Sequence, residues 1–213
     1  MSRIAIVGGH GKVALLLAPI LTAAGHEVTS YIRNPEHAAA VACTGATPVL
    51  ADVEKLSTQE LTDLLTDQDA IVWSAGAGGG SPERTYAVDR DAAIRSMDAA
   101  MASRTPRYVM ISYFGAGPGH GVAEDDPFFH YAEAKTAADA YLQESDLAWT
   151  ILRPSRLTSE DPSGRISFDD APGQVSRANV AMVAATTFSR PSTIRQILTF
   201  NDGDTLITDA LPN

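Results

Sequence analysis

The sequence predicts an open α/β fold, a doubly wound parallel sheet with helices on both faces. Three observations carry that prediction. Short apolar runs alternate with stretches of helical spacing along the chain, as strands buried on both faces do when helical crossovers join them. The first apolar run, Ile4 to Val7, ends at Gly8-Gly9-His10-Gly11 and a helix-like stretch follows at once. The chain's 213 residues, 45% hydrophobic and 20% charged, suit a single domain spanning 1–213 with a sizeable core.

The elements follow in order. Ile4 to Val7 is a strand, Lys12 to Ala24 a helix and Glu27 to Ile32 the second strand. Pro35 to Cys43 reads as a helix with proline in its first turn, and Thr47 to Leu50 as strand three. Ser57 and Glu60 form a Ser-x-x-Glu capping box for the next helix. Ala70 to Trp73 is strand four, Glu83 to Ala102 a long helix, and Tyr108 to Ser112 strand five. Phe129 to Gln143 is helical and Trp149 to Leu152 is strand six. Beyond Arg153-Pro154 the rhythm loosens into a loop containing Pro162, Gly164, Pro172 and Gly173. A helix at Ala178 to Phe188 and a strand at Arg195 to Phe200 then close the chain. This last part, about 154–213, is expected to complete the substrate side.

Bulk properties narrow the function. A formal charge of −10 gives nucleic acid or an anionic membrane no electrostatic attraction, so neither is an expected partner. No apolar run is long enough to span a bilayer, and the chain enters its first strand without a charged leader. A cytoplasmic location is the expectation. Cys43 is the single cysteine, and the five histidines lack ligand spacing, so no metal site is expected. The expected partner is a small-molecule substrate; the oligomeric state is left open.

The glycines define the first site. In an open parallel sheet ligands lie beyond the carboxyl ends of the strands, where strand order reverses. Glycine there lets the backbone approach a pyrophosphate, and the first N–H groups of the helix supply donors. The spacing is Gly8-x-x-Gly11-x-x-Ala14, with alanine as the smallest substitute for a third glycine. His10, Lys12 and Val13 belong to the same turn. The plain alternative is a tight turn without a ligand. Strand two ends in Tyr31-Ile32-Arg33-Asn34, a cation where an NAD site usually carries an acid. Arg33 suits a 2′-phosphate and Lys12 adds a second charge. NADP(H) is therefore favoured over NAD(H).

With these residues the chain resembles the short-chain dehydrogenase/reductase superfamily, and within it the atypical, NmrA-like and NAD(P)H-flavin reductase-like proteins. The resemblance runs from Arg3 to about Leu211. It rests on Gly8-x-x-Gly11 with Arg33, Ala51-Asp52-Val53, Ser74-Ala75-Gly76-Ala77, Ser112, Tyr131-Ala-Glu-Ala-Lys135 and Leu152-Arg153-Pro154, in that order. It implies a Rossmann-type domain. It also implies that Asp52 accepts from the adenine amino group and Val53 supports the ring. Ala75, Gly76 and Ala77 would pass beside the cofactor ribose, and Pro154 would border the nicotinamide. More plainly, Asp52 could cap a turn and Arg153 could be an ion-pair partner.

Tyr131 and Lys135, four residues apart, share a helix face. A nearby ammonium lowers a phenol's pKa from its usual ~10. As the family pattern runs, Tyr131 is the acid, Lys135 tunes it and also bonds the nicotinamide ribose, and Ser112 orients a substrate carbonyl. Residues 114–130, with four glycines and Phe128-Phe129-His130, read as one wall or lid; residues 155–173 read as the other. The expectation is an NADP(H)-dependent oxidoreductase reducing a small carbonyl, quinone or flavin by hydride transfer. Its rivals are a non-catalytic NADP(H)-binding redox sensor and an NAD-dependent epimerase or dehydratase. The epimerase is disfavoured because only about sixty residues follow strand six.

Overall fold

A computed structural model describes residues 1–79, 81–169 and 171–212. The central sheet has the order β11-β8-β10-β6-β5-β4-β1-β2-β3. Its strands are β1 (Arg3–Val7), β2 (Glu27–Ile32), β3 (Thr47–Leu50), β4 (Ala70–Trp73), β5 (Arg107–Ile111), β6 (Ala148–Pro154), β8 (Arg165–Ser167), β10 (Gln196–Asp202) and β11 (Thr205–Leu206). From β3 through β10 every pairing is parallel. The chain winds outward from β1 to β3, then crosses back to place β4 against β1. Strand order reverses there, which opens a crevice above the carboxyl ends of β1 and β4.

Alternation along β1 explains the two-sided burial. Ile4 and Ile6 join Leu17, Leu21, Val180 and Phe200 on one face. Ala5 and Val7 join Trp73, Met97, Tyr108 and Met110 on the other. Helices α1 (Lys12–Ala23) and α7 (Arg177–Thr186) cover the first face; α3 (Thr58–Leu65), α5 (Ala93–Ala102) and α6 (Phe129–Glu144) cover the second. Each large side chain buried this way contributes about 1.5–3 kcal/mol. The Ser57–Glu60 capping box opens α3, with each residue's side chain accepting from the other's backbone N–H.

Three elements depart from the sequence expectation. The segment 35–43 is a 3₁₀ turn, Pro35–His37, leading into the short α2 (Ala38–Ala42). The long helix is composite: α4 (Pro82–Thr85) runs into a π-helical stretch, Tyr86–Ala92, before α5. Such a stretch adds a residue per turn and re-aims the side chains it carries; here it buries Asp89 at 2% exposure. The loop after strand six holds β7 (Arg156–Thr158), which pairs with β9 (Gln174–Ser176), and β8, which runs antiparallel to β10 and β11. Three-residue strands carry too little periodicity to be read from sequence. Among the described residues no helix is long and apolar enough to cross a membrane. The short α8 (Ile207–Ala210) completes the chain's secondary structure.

Candidate functional site

The crevice is a cleft of about 380 Å³ lined by the turns that follow β1, β2, β3 and β4. Its floor needs glycine. Gly8 has φ +84°, and a Cβ there would lie 2.6 Å from the backbone N and Cα of Ala75. A Cβ on Gly9 would fall 2.5 Å from the Ser30 Cβ, which blocks any side chain between β1 and β2. Gly11 donates its N–H to the Gly8 carbonyl at 2.8 Å and stands at the N-cap of α1. The first N–H groups of α1 have no carbonyl partner within the helix. Of the other residues in this turn, His10 lines the cleft, Val13 is buried beneath it and the Lys12 side chain is exposed.

Arginines organise the wall after β3. Arg95 reaches from α5 to donate to the carbonyls of Val53, Glu54 and Leu56 at 3.1–3.2 Å. Arg84 donates to the Ala77 carbonyl at 2.8 Å and pairs with Glu54 at 3.2 Å. Arg33 approaches the same Glu54 oxygen at 3.7 Å. The end of β2 thus lacks an acid of its own, and the carboxylate nearest Arg33 comes from the next turn and is shared with Arg84. Asp52 lines the cleft beside Val53 and pairs with Lys55 at 3.1 Å. Ala75, Gly76 and Ala77 form the opposite lip.

Asp89 joins this lip to the interior. Its Oδ2 accepts from the Ala77 N–H at 2.9 Å, and its Oδ1 lies 3.0 Å from where a Gly76 Cβ would stand. Behind it are Lys135 and Asp139, both fully enclosed in α6. Lys135 does not turn to the phenol of Tyr131: its Nζ donates to the Ile111 carbonyl at 2.9 Å and lies 3.3 Å from Met110 Sδ. Burial lowers the Lys135 pKa, and the charges of Asp139 and Asp89 oppose that fall. The same burial raises both carboxyls above the usual range, with Lys135 as the main opposing influence on each.

Two of the expected site residues stand in surroundings their spacing did not suggest. The Tyr131 phenol is pushed up from its ordinary value, not down, by burial and then by the carboxylates of Asp89 and Asp139. Ser112 donates its hydroxyl proton to Asp139 Oδ2 at 2.8 Å, so that proton is directed into the protein. Arg153 pairs with the same oxygen at 3.0 Å, the plain ion-pair role. Pro154 is buried as the last residue of β6, in register with Phe200. Tyr131 itself packs against Phe128 and Tyr113, with ring centroids 5.0 and 5.6 Å away. Phe128 thus brings the 114–130 segment over Tyr131, and the Gly117 N–H anchors that segment to Thr136 Oγ1 at 3.0 Å.

Sequence reasoning missed Glu54, Arg84, Asp89, Arg95 and Asp139. Each is a charged residue within a helix or turn, where the pattern alone suggests a solvated face. The sole signal was Arg153 in the motif after strand six, a cation that needs a buried partner. Among the described residues no cluster of His, Cys, Asp or Glu could hold a metal ion.

Fold and cleft together define a Rossmann-type protein of the NAD(P)-binding class. Residues 8–191 match the family described as NAD(P)H-binding, and the chain belongs to it. It is 30% identical to the uncharacterized sugar epimerase YhfK of Bacillus subtilis, over 98% of each chain. A solved structure from Bacillus halodurans, provisionally named an NAD-dependent epimerase/dehydratase, is 30% identical, with a TM-score of 0.87 over 98% of this chain and 97% of that one. The oxidoreductase YlbE of Lactococcus lactis is 25% identical with a TM-score of 0.86, covering 98% of this chain and 94% of that one.

Proposed function

We propose that this protein is an NADP(H)-dependent oxidoreductase that reduces a small carbonyl, quinone or flavin. The residues of the cleft fit a dinucleotide: the cradle has no room for a side chain at Gly8 or Gly9 and little at Gly11. Gly8 to Val13 would hold the pyrophosphate, Arg33 the 2′-phosphate, Asp52 and Val53 the adenine, and Ala75 to Ala77 the ribose. When bound, the reduced nicotinamide supplies a hydride.

The observation that carries the proposal is the glycine cradle at the end of β1, and Tyr131 is the proton donor proposed to act with it. Burial, and then the carboxylates of Asp89 and Asp139, push the Tyr131 phenol above its ordinary value. A phenol at this position can relieve charge that develops on a substrate oxygen during hydride transfer by giving up its proton. Asp89 couples that phenol to the cleft, because the same carboxylate holds the Ala77 N–H on the lip. Lys135 holds Asp89 and Asp139 in place by charge, and Pro154 and Ser112 support the wall behind the acceptor. Tyr113, Phe128 and Tyr131 offer aromatic surface to a planar substrate.

An epimerase is favoured by the names of two relatives. It would use the same tyrosine on a sugar hydroxyl and keep its nicotinamide through each turnover, whereas a reductase consumes NADPH. Comparison of wild type with Tyr131→Phe tests the proposal. With an aldehyde or ketone, kcat falls on the order of 10²-fold or more in the variant, the usual worth of a positioned acid. With a quinone or flavin that takes hydride directly, both proteins turn over equally. Binding of NADPH with no turnover of any acceptor would favour the sensor reading.

A further inference from the structure

Two histidines meet across the cleft from different elements. His10 comes from the turn after β1 and His37 from the 3₁₀ turn after β2, and both line the cleft beside Arg33 and Asn34. Their rings stack with centroids 3.5 Å apart and planes inclined by 14°. Among the described residues no carboxylate pairs with either imidazole, whereas His120 does pair with Glu133 at 2.7 Å. In a cleft of this class the ribose 2′ position meets the residues after the second strand. The stack therefore stands between the pyrophosphate turn and the place a 2′-phosphate would take.

We infer that the His10–His37 stack is a proton-gated 2′-phosphate clamp, which distinguishes NADP(H) from NAD(H) by taking up a proton when the phosphate binds. This rests on reading the cleft as a dinucleotide site. Two imidazolium rings at 3.5 Å would repel each other, so a proton on one ring disfavours a proton on the other. In the free protein, burial and then the His37 ring lower the His10 pKa, which disfavours its charged form. A phosphate dianion beside it favours the charged form and draws one proton from solvent. The surrounding charges are balanced: Arg33 and Glu36 on the β2 side, Lys12 at the start of α1, and Asp52, Glu54 and Arg84 across the cleft. Glu54 is already engaged by two guanidiniums, and Asn34 donates to Glu36 at 3.3 Å. Neither carboxylate is committed to the histidines. NAD(H), which has a hydroxyl at the 2′ position, draws no proton.

Calorimetric titration with NADP⁺ and with NAD⁺, in buffers of different ionisation enthalpy, reads this directly. For wild type at pH 7.5, NADP⁺ binding takes up on the order of half a proton, and NAD⁺ binding none. NADP⁺ affinity falls about 3–10-fold from pH 6.5 to 8.5 while NAD⁺ affinity stays flat. A double variant, His10→Asn with His37→Phe, keeps a ring at position 37 and loses the proton uptake. Its circular-dichroism spectrum and thermal unfolding match those of wild type, which shows that it has folded. If the double variant does not fold, His37→Phe alone, outside the glycine turn, still lowers the NADP⁺-to-NAD⁺ affinity ratio at least about threefold. Equal proton uptake with both cofactors, uptake that survives the double variant, or an unchanged ratio in His37→Phe overturns the clamp and leaves the cofactor site standing. Binding of neither nucleotide overturns the cofactor site itself.

Discussion

Replacing Lys135 with methionine tests the electrostatic frame behind Tyr131. The substitution keeps the length and apolar stem of the side chain and removes its charge. In the wild type the ammonium is fully enclosed, donates to the Ile111 carbonyl at 2.9 Å and faces the carboxylates of Asp89 and Asp139. Without it two buried carboxylates are left with less compensation; Arg153 remains on Asp139 and Arg84 acts on Asp89 from further away. Breaking one partner out of a buried ionic group costs about 3–5 kcal/mol. A chain of this size loses roughly 2–4 °C of Tm per kcal/mol, so the expected fall at pH 8 is about 6–20 °C. The pH dependence carries a definite sign. Both carboxyls have folded pKa values above their unfolded ones. Their stabilising contribution is therefore full below the unfolded value and lost as pH rises through the folded one. Loss of Lys135 raises the folded values further, so the deficit of the variant shrinks as pH falls toward 5. Thermal unfolding of both proteins from pH 5 to 8 gives the answer. A deficit that is absent at pH 8, or that grows toward acid, refutes the assignment of Lys135 as counter-charge to these two acids.

Other consequences concern the cleft and the serine. Gly8→Ala forces a side chain onto φ +84° and to within 2.6 Å of the Ala75 backbone, which cannot swing aside. The conformational strain is about 1–2 kcal/mol and the overpacking about 1–3 kcal/mol more; thermal unfolding and fluorescence titration should show a lower Tm and NADPH affinity reduced at least tenfold. Ser112→Ala removes a donor to Asp139 and leaves Arg153 on the same oxygen. If the hydroxyl serves that carboxylate alone, kcat with a carbonyl acceptor changes less than about threefold and Tm falls by a few degrees. A loss of 10²-fold in kcat at unchanged Tm assigns Ser112 to the substrate oxygen instead.

What the sequence disclosed was local. The parallel sheet was legible because its central strands, such as Ile4 to Val7, are apolar on both faces and helical repeats alternate with them. The glycine turn was legible for the same reason: its demand for small residues arises within a few positions of strand and helix. The frame behind the site was not. Tyr131 and Lys135 do share a helix, yet spacing cannot say that the lysine bends to the Ile111 carbonyl. Asp89 reaches its place only because the helix is π-wound from Tyr86 to Ala92, a departure with no pattern of its own. His37 acquires meaning only when the turn after β2 lays it on His10. Such pairings join residues far apart in the chain, and without the fold each half looks like an ordinary surface group.

The central claim is that the cleft holds NADPH and passes its hydride to a small acceptor. Steady-state oxidation of NADPH, followed at the nicotinamide absorbance against a panel of quinones, flavins and aromatic aldehydes, tests it most directly. The account predicts acceptor-dependent NADPH consumption that is lost in Gly8→Ala. NADPH that binds one to one and is consumed with no acceptor in the panel would contradict it.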